Sequence, residues 1–207
     1  MSDAAIRHLS RDPALKALIR RVGPPALRVE KRSPYEALVR AIAHQQLHGR
    51  AAETILGRFL ALYPAPFPDP GAVLATRETV LRECGFSASK IAAIRDICAH
   101  TLAGTVPTRR AAARLSDAAL IERLTVIRGV GRWTVEMLLM FTLGRPDVLP
   151  VDDFGVREGY RLLHALEAQP KPRVLAEIGA AWAPHRSTAA WYLWRAADEA
   201  KKIRPPA

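Results

Sequence analysis

The turn Gly129-Val130-Gly131 separates two helical patterns and constrains the fold more than any other stretch of the chain. Apolar residues precede it at Leu124 and Ile127, and a helical set follows it at Val135, Leu138, Leu139 and Thr142. This spacing predicts one helix that stops at the first glycine and another that begins after the second. Glycine also leaves backbone N–H groups uncovered, so that they can converge on an anion beside a helix N-terminus. The pattern therefore suits a hairpin that binds a DNA phosphate, and an ordinary connection between helices is the alternative.

A pair of carboxylates, Asp152 and Asp153, follows the second helical pattern. Pro150 precedes the pair, and Val156, Tyr160 and Leu163 come after it at spacings of four and then three. We therefore expect both aspartates at the N-cap or in the first turn of a new helix. Both could serve only as caps, but one cap is enough for a helix, which leaves the other carboxylate available for chemistry.

The rest of the chain also favours helices. No segment shows a sustained alternation of apolar and polar residues with β-branched enrichment, so we predict an all-α fold of about ten helices. The segment 33–36, Ser-Pro-Tyr-Glu, has the residues of a helix start: a serine cap, a proline at the first position and a glutamate for a capping box. Apolar residues then follow at helical spacing and predict a buried face: Tyr35, Leu38, Val39 and Ile42.

Charge indicates the kind of partner. The 207 residues carry a formal net charge of +11, which predicts attraction to polyanions, chiefly nucleic acid and less so an anionic membrane surface. The sequence has no run of eighteen apolar residues, and residues 1–28 have no signal-peptide pattern. Neither membrane spanning nor export is therefore indicated. Cys84 and Cys98 have neither a metal-binding spacing nor a disulfide framework, and a reducing cytoplasm is the simplest setting.

Four ordered motifs carry a resemblance to a known family. They are Gly-Val-Gly-Arg-Trp-Thr at 129–134, Pro-Val-Asp-Asp-Phe-Gly-Val-Arg at 150–157, and the segments 38–47 and 182–194. Together they resemble the helix-hairpin-helix superfamily of base-excision DNA glycosylases and, within it, the 3-methyladenine DNA glycosylase II family. The matching segments extend from about Ser33 to Trp194, which is nearly the whole chain.

The resemblance implies a two-lobed helical architecture around an interlobe cleft. Residues 1–32 together with 146–207 would form one lobe, and residues 33–145 would form the other, with the helix-hairpin-helix at about 124–143. Longer members of the family carry an extra N-terminal β-sheet domain. The 32 residues before the first motif leave no room for one, so we expect none.

The family's functional residues map onto this sequence motif by motif. Asp153 would be the catalytic carboxylate, with Asp152 as the helix cap that supports it and borders the base pocket. Trp133, Trp194 and Met137 would line that pocket, where a cationic alkylpurine gains cation–π attraction from indole. The hairpin that binds DNA would consist of Arg128, Gly129, Val130, Gly131, Arg132 and Thr134.

A minor-groove wedge is expected at the end of the helix that begins at Ser33. There a side chain would fill the gap that the extruded nucleotide leaves, offsetting part of the cost of extrusion. Leu47 is the first candidate, His48 the second, and Gln46 belongs to the same loop. The resemblance implies no cofactor and no catalytic metal, although a monovalent cation could sit on the hairpin carbonyls.

The resemblance implies a monofunctional glycosylase that releases alkylated purines, 3-methyladenine and related bases, and leaves an abasic site in base excision repair. Bifunctional superfamily members have a Schiff-base lysine where this chain has Trp133. The iron–sulfur members carry a C-terminal cluster of four cysteines, which this sequence does not have. The partner would be double-stranded DNA with alkylated bases, bound by a monomer in the cytoplasm with the bacterial nucleoid, or in a nucleus. Two alternatives are a non-catalytic DNA-binding protein and a glycosylase for deaminated or oxidised bases.

Overall fold

A computed structural model describes residues 3–203, and within that range every regular element is helical. The all-α prediction is confirmed. The described residues form thirteen α-helices rather than about ten, because α1, α5, α6 and α8 have only four to seven residues, too few for a periodic pattern. The helices are α1 Asp3–Leu9, α2 Pro13–Val22, α3 Pro34–His44, α4 Gly49–Leu60, α5 Pro70–Ala75, α6 Glu78–Glu83, α7 Ala88–Leu102, α8 Arg109–Ala112, α9 Asp117–Leu124, α10 Arg132–Met137, α11 Phe154–Leu163, α12 Pro172–Gly179 and α13 Arg186–Ile203. A π-helical turn, Leu138–Thr142, extends α10, and a 3₁₀ turn, Ala180–Trp182, follows α12.

The start of α3 shows how side chains fix helix boundaries in this chain. The Ser33 hydroxyl accepts the Glu36 backbone N–H at 3.1 Å, and Pro34 occupies the first helical position. The Glu36 carboxylate pairs with the Arg40 guanidinium at 2.8 Å. The predicted serine cap is confirmed, and the Glu36 carboxylate, which was expected to complete a capping box, stabilises the first turns of α3 through its ion pair with Arg40.

The chain divides into two compact units. One unit combines the N-terminal part of the chain, up to Val29, with the C-terminal part from Gly144 onwards. The other unit is the continuous segment Glu30–Leu143. The first therefore contains α1, α2 and α11 to α13, and the second contains α3 to α10.

In the first unit, α11 packs closely against α13. A Cβ atom at Gly159 would overlap the carbonyl oxygen of Leu193, so only glycine permits this approach. The Tyr192 hydroxyl donates to the Gly23 carbonyl at 2.9 Å, which joins α13 to the segment after α2. The start of α13 is held by the Arg186 guanidinium, whose Nε and Nη2 bind the Asp147 carboxylate at 2.7 and 2.8 Å.

In the second unit, α3 packs against α7. The apolar face of α3 predicted from its spacing is confirmed, since Tyr35, Leu38, Val39 and Ile42 are all buried. Cys84 and Cys98 are buried free thiols. Among the described residues, no helix is long and apolar enough to cross a membrane.

Candidate active site and DNA-binding elements

The hairpin turn joins α9 to α10. The helix α9 ends at Leu124, five positions before the glycine at which the sequence predicted its end, so that boundary was wrong. The cause is local: Ile127 and Val130 turn inward and are 2% and 3% exposed, so the chain leaves the helical path early to bury them. The predicted restart is confirmed, because Gly131 is the N-cap residue of α10.

Gly129 is the residue that makes this turn possible. Its φ is +77°, a left-handed conformation that favours glycine. A Cβ atom there would also lie 3.1 Å from Cβ of Ala93 and 3.3 Å from Cδ1 of Ile42. The preceding Arg128 N–H donates to the Asp96 carboxylate at 2.7 Å. Side chains of α3 and α7 thus hold the hairpin in a fixed position.

The hairpin residues separate into exposed and buried sets. The exposed residues are Arg128, Gly129, Gly131, Arg132 and Trp133. The side chains of Val130 and Thr134 are buried, so these two residues could contact DNA only through their backbone groups. The Arg132 side chain pairs with the buried Glu136 at 2.9 Å and remains 60% exposed, so it can still meet a phosphate.

The proposed wedge lies in the loop of residues 45–48, between α3 and α4. Gln46, Leu47 and His48 are all exposed, and Leu47 is 40% exposed although it is apolar. Gln46 has a φ of +57°, a conformation that costs energy for a residue other than glycine. The side-chain amide of Gln45 donates to the Gly129 carbonyl at 3.1 Å, which joins this loop to the hairpin.

Asp153 is the N-cap residue of α11. Its Oδ1 atom accepts the Val156 backbone N–H at 2.8 Å and the indole N–H of Trp194 at 2.8 Å. The expectation that Asp152 caps the helix was therefore wrong, and Asp152 is an exposed residue of the preceding turn. The reason is that the Asp153 N–H bonds to the Pro150 carbonyl, closing a turn that makes Phe154 the first helical residue.

Two further features shape the surroundings of this carboxylate. A Cβ atom at Gly155 would lie 2.9 Å from Cδ1 of Trp194, so glycine allows the indole ring to reach Asp153. Phe154 is 67% exposed directly beside Asp153. The two hydrogen bonds fix the direction of the carboxylate, and the indole N–H and the N-terminus of α11 both stabilise its negative charge.

The other expected pocket residues lie in the second unit. Trp133 is 45% exposed, a large fraction for an indole ring. Met137 lines a cavity of about 210 Å³, together with Thr134, His44 and Glu53. The structure therefore brings Trp194 and Asp153 together within one unit, whereas Trp133 and Met137 belong to the segment Glu30–Leu143.

The hairpin carbonyls are the expected place for a monovalent cation. The carbonyls of Ile127 and Gly129 already accept protein N–H donors, from Val130 and Gln45, both at 3.1 Å. Each of these oxygens keeps a second lone pair, so a monovalent cation at the hairpin stays a prediction. Within residues 3–203, no group of three or more His, Cys, Asp or Glu side chains could hold a metal ion.

A comparison with family models decides the family. The model described as HhH-GPD superfamily base excision DNA repair protein matches residues 39–185, a span that includes the hairpin, the wedge loop and Asp153. The chain belongs to this family. Its members are DNA repair proteins built on the helix-hairpin-helix, so the resemblance seen in the sequence is confirmed.

Similar family members come from yeast and bacteria. DNA-3-methyladenine glycosylase 1 of Schizosaccharomyces pombe is 46% identical over 205 residues, covering 96% of this chain and 90% of the relative. The solved structure of the S. pombe 3-methyladenine DNA glycosylase in complex with abasic DNA has a TM-score of 0.84 and covers 93% of this chain and 95% of its own. DNA-3-methyladenine glycosidase from Bacillus halodurans is 33% identical with a TM-score of 0.87, covering 97% and 92%.

Two residues near the candidate site were not singled out from the sequence. Gln45 was missed because its hydrogen bond spans 84 residues, and no local spacing points to such a contact. Phe154 was assigned no role, although an aromatic residue directly after a paired aspartate is a usable signal.

Proposed function

We propose that this protein is a monofunctional DNA glycosylase that removes alkylated purines, 3-methyladenine and related bases, from double-stranded DNA. It hydrolyses the N-glycosidic bond and leaves an abasic site for base excision repair. The observation that carries the proposal is the Asp153 carboxylate, fixed by the Val156 N–H and the Trp194 indole at the start of α11. The names of the yeast and bacterial relatives support the choice of substrate.

The reaction needs little from the protein beyond this carboxylate. As the C1′–N bond breaks, its electron pair moves to the base and neutralises the positive charge of the alkylated purine, so the base leaves without being protonated. Positive charge develops on the deoxyribose, and an ionised Asp153 beside C1′ stabilises it electrostatically. Water then adds to C1′ and loses a proton, for which Asp153 is the acceptor.

The residue at the Schiff-base position supports a monofunctional reaction. In bifunctional members of the superfamily a lysine forms a Schiff base at the position of Trp133. An indole cannot form that bond. The ring of Trp133, 45% exposed, is instead available to stack on a base.

Binding of DNA would use the exposed residues of the hairpin and of the wedge loop. Arg128 and Arg132 are exposed and would contact phosphate, together with backbone N–H groups of the turn. Leu47 would enter the minor groove first, with His48 and Gln46 beside it. Trp194, Trp133 and Met137 would contact the flipped base, and the protein would act as a monomer in the compartment that holds the DNA.

Release of free base from a panel of duplexes tests this function. The panel contains 3-methyladenine, 7-methylguanine, hypoxanthine and 8-oxoguanine, and the released bases are separated by chromatography. We expect 3-methyladenine to be released and the DNA strand to stay intact until the abasic site is cleaved by alkali. Release of only hypoxanthine or 8-oxoguanine would overturn the substrate class, and binding without any release would overturn the enzymatic reading.

A further inference from the structure

One side chain connects the wedge loop, residues 45–48, to the hairpin turn, residues 125–131. The Gln45 amide donates to the Gly129 carbonyl at 3.1 Å. The two elements are far apart in sequence and have different expected tasks, one at the minor groove and one at a phosphate. A direct hydrogen bond between them therefore links the positions of both.

The acceptor of this hydrogen bond is rigid. Gly129 has no room for a Cβ against Ala93 and Ile42, and the neighbouring Arg128 N–H is held by Asp96. The Gly129 carbonyl thus points in a direction set by α3 and α7. The hairpin therefore sets the position of the Gln45 side chain.

The loop that carries the donor is held at its root and by a turn hydrogen bond, in which the Leu47 N–H donates to the His44 carbonyl at 3.3 Å. The Lys90 ammonium donates to the Ala43 carbonyl at 2.8 Å, and the His44 ring lies 3.1 Å from the Glu53 carboxylate. From Gln46 onwards the side chains are exposed. Gln45 is the residue at which the buried end of α3 gives way to this exposed segment.

The backbone directly after Gln45 is strained. Gln46 has a φ of +57°, and such a conformation persists only where neighbouring contacts enforce it. Here the hydrogen bond from the Leu47 N–H to the His44 carbonyl, at 3.3 Å, closes the turn across Gln46, and the Gln45 side chain anchors that turn to the hairpin. This backbone turn also sets the direction in which Leu47 leaves the loop.

We propose that Gln45 is a positioning residue that places the Leu47 wedge in register with the phosphate-binding hairpin. This inference rests on the proposed function and deepens it. The residue type fits the task, because the contact needs an N–H donor on a side chain long enough to reach the turn. Methionine matches the length without the donor, so Gln45→Met isolates the hydrogen bond.

The test is a double-mutant cycle in the full-length protein. Gln45→Met, Leu47→Ala and the double variant are compared with the wild type in single-turnover release of 3-methyladenine. The matched control is Gln169→Met, which removes another side-chain amide hydrogen bond, to Glu158 at 2.8 Å, in the other unit. Affinity for an undamaged duplex is measured by mobility shift for every variant.

A positioning role predicts a specific pattern of rates. Gln45→Met lowers the release rate about five- to tenfold, the effect of one neutral hydrogen bond, while affinity for undamaged DNA changes by less than about twofold. In the Leu47→Ala background the same change has little further effect, because there is no wedge left to place. Gln169→Met leaves the rate unchanged. An equal loss in both backgrounds, or no loss in either, overturns the proposal.

A second measurement separates this inference from the proposed function. If the wild type releases no alkylated base, the proposed glycosylase activity is wrong. The loop is then examined in the DNA-free protein by hydrogen exchange. Positioning by Gln45 predicts faster exchange of the amides of residues 46–48 in Gln45→Met than in the wild type. Unchanged exchange there overturns the positioning role whatever the outcome with DNA.

Discussion

Replacing Trp194 by phenylalanine tests how the proposed catalytic carboxylate, Asp153, is held in place. The change removes the indole N–H that donates to Asp153 Oδ1 at 2.8 Å and keeps an aromatic ring for stacking. A hydrogen bond to a charged group contributes about 1.5–3 kcal/mol. Trp194 is half-buried and water can partly replace its N–H, so we take the lower value, about 1.5 kcal/mol. That corresponds to a release rate about tenfold slower.

Single-turnover release of 3-methyladenine measures this rate, with affinity for undamaged DNA as the check on binding. Trp191→Phe is the matched control, because Trp191 lies on the same helix and its ring faces the Arg195 guanidinium at 5.4 Å. We expect the control to keep the wild-type rate within about twofold, since its indole lies outside the Asp153 hydrogen bonds. An unchanged rate for Trp194→Phe, or an equal loss in both variants, would refute the argument.

Three other substitutions test the fold and the hairpin. Gly159→Ala forces a Cβ onto the Leu193 carbonyl, so calorimetry should show a lower Tm from about 1–3 kcal/mol of overpacking; an unchanged Tm would contradict the α11–α13 packing. Gly129→Ala, at a φ of +77°, should weaken duplex binding in a mobility shift. Wild-type affinity of this variant would contradict the binding of DNA by the hairpin. Hydrogen bonds from Arg186 hold the pKa of Asp147 below its usual 3.8. The pair therefore stabilises the fold fully above that pH, and this stabilisation is lost as the pH falls through the lower pKa of the folded state. Asp147→Asn should therefore cost about 1–2 kcal/mol in urea unfolding at pH 7, and the difference should shrink below pH 3.8; a difference independent of pH would exclude this linkage.

Local patterns predicted those parts of the fold that local interactions determine. The serine cap at Ser33 and the buried face of α3 need only neighbouring residues, and both are present as expected. The end of α9 was predicted too late because burial of Ile127 and Val130 in the second unit overrides the glycine signal. Tertiary packing thus decided that boundary.

The candidate site shows the same division. Apolar spacing placed the aspartate pair at a helix start, but the choice of cap depends on the turn that the Asp153 N–H closes with Pro150. Periodicity could not resolve a shift of one residue. The hydrogen bond between Asp153 and Trp194 crosses 41 residues and becomes visible only in the folded chain. Motif resemblance had nevertheless named both residues.

The most direct test of the central claim compares the wild type with Asp153→Asn on methylated duplex DNA. The asparagine oxygen can still accept the N–H groups of Val156 and Trp194, so the fold and the cap should persist while the negative charge is lost. We expect equal duplex binding, release of 3-methyladenine by the wild type, and release at least about 100-fold slower by the variant. Equal release by both proteins, or none by a wild type that binds DNA, would contradict the account.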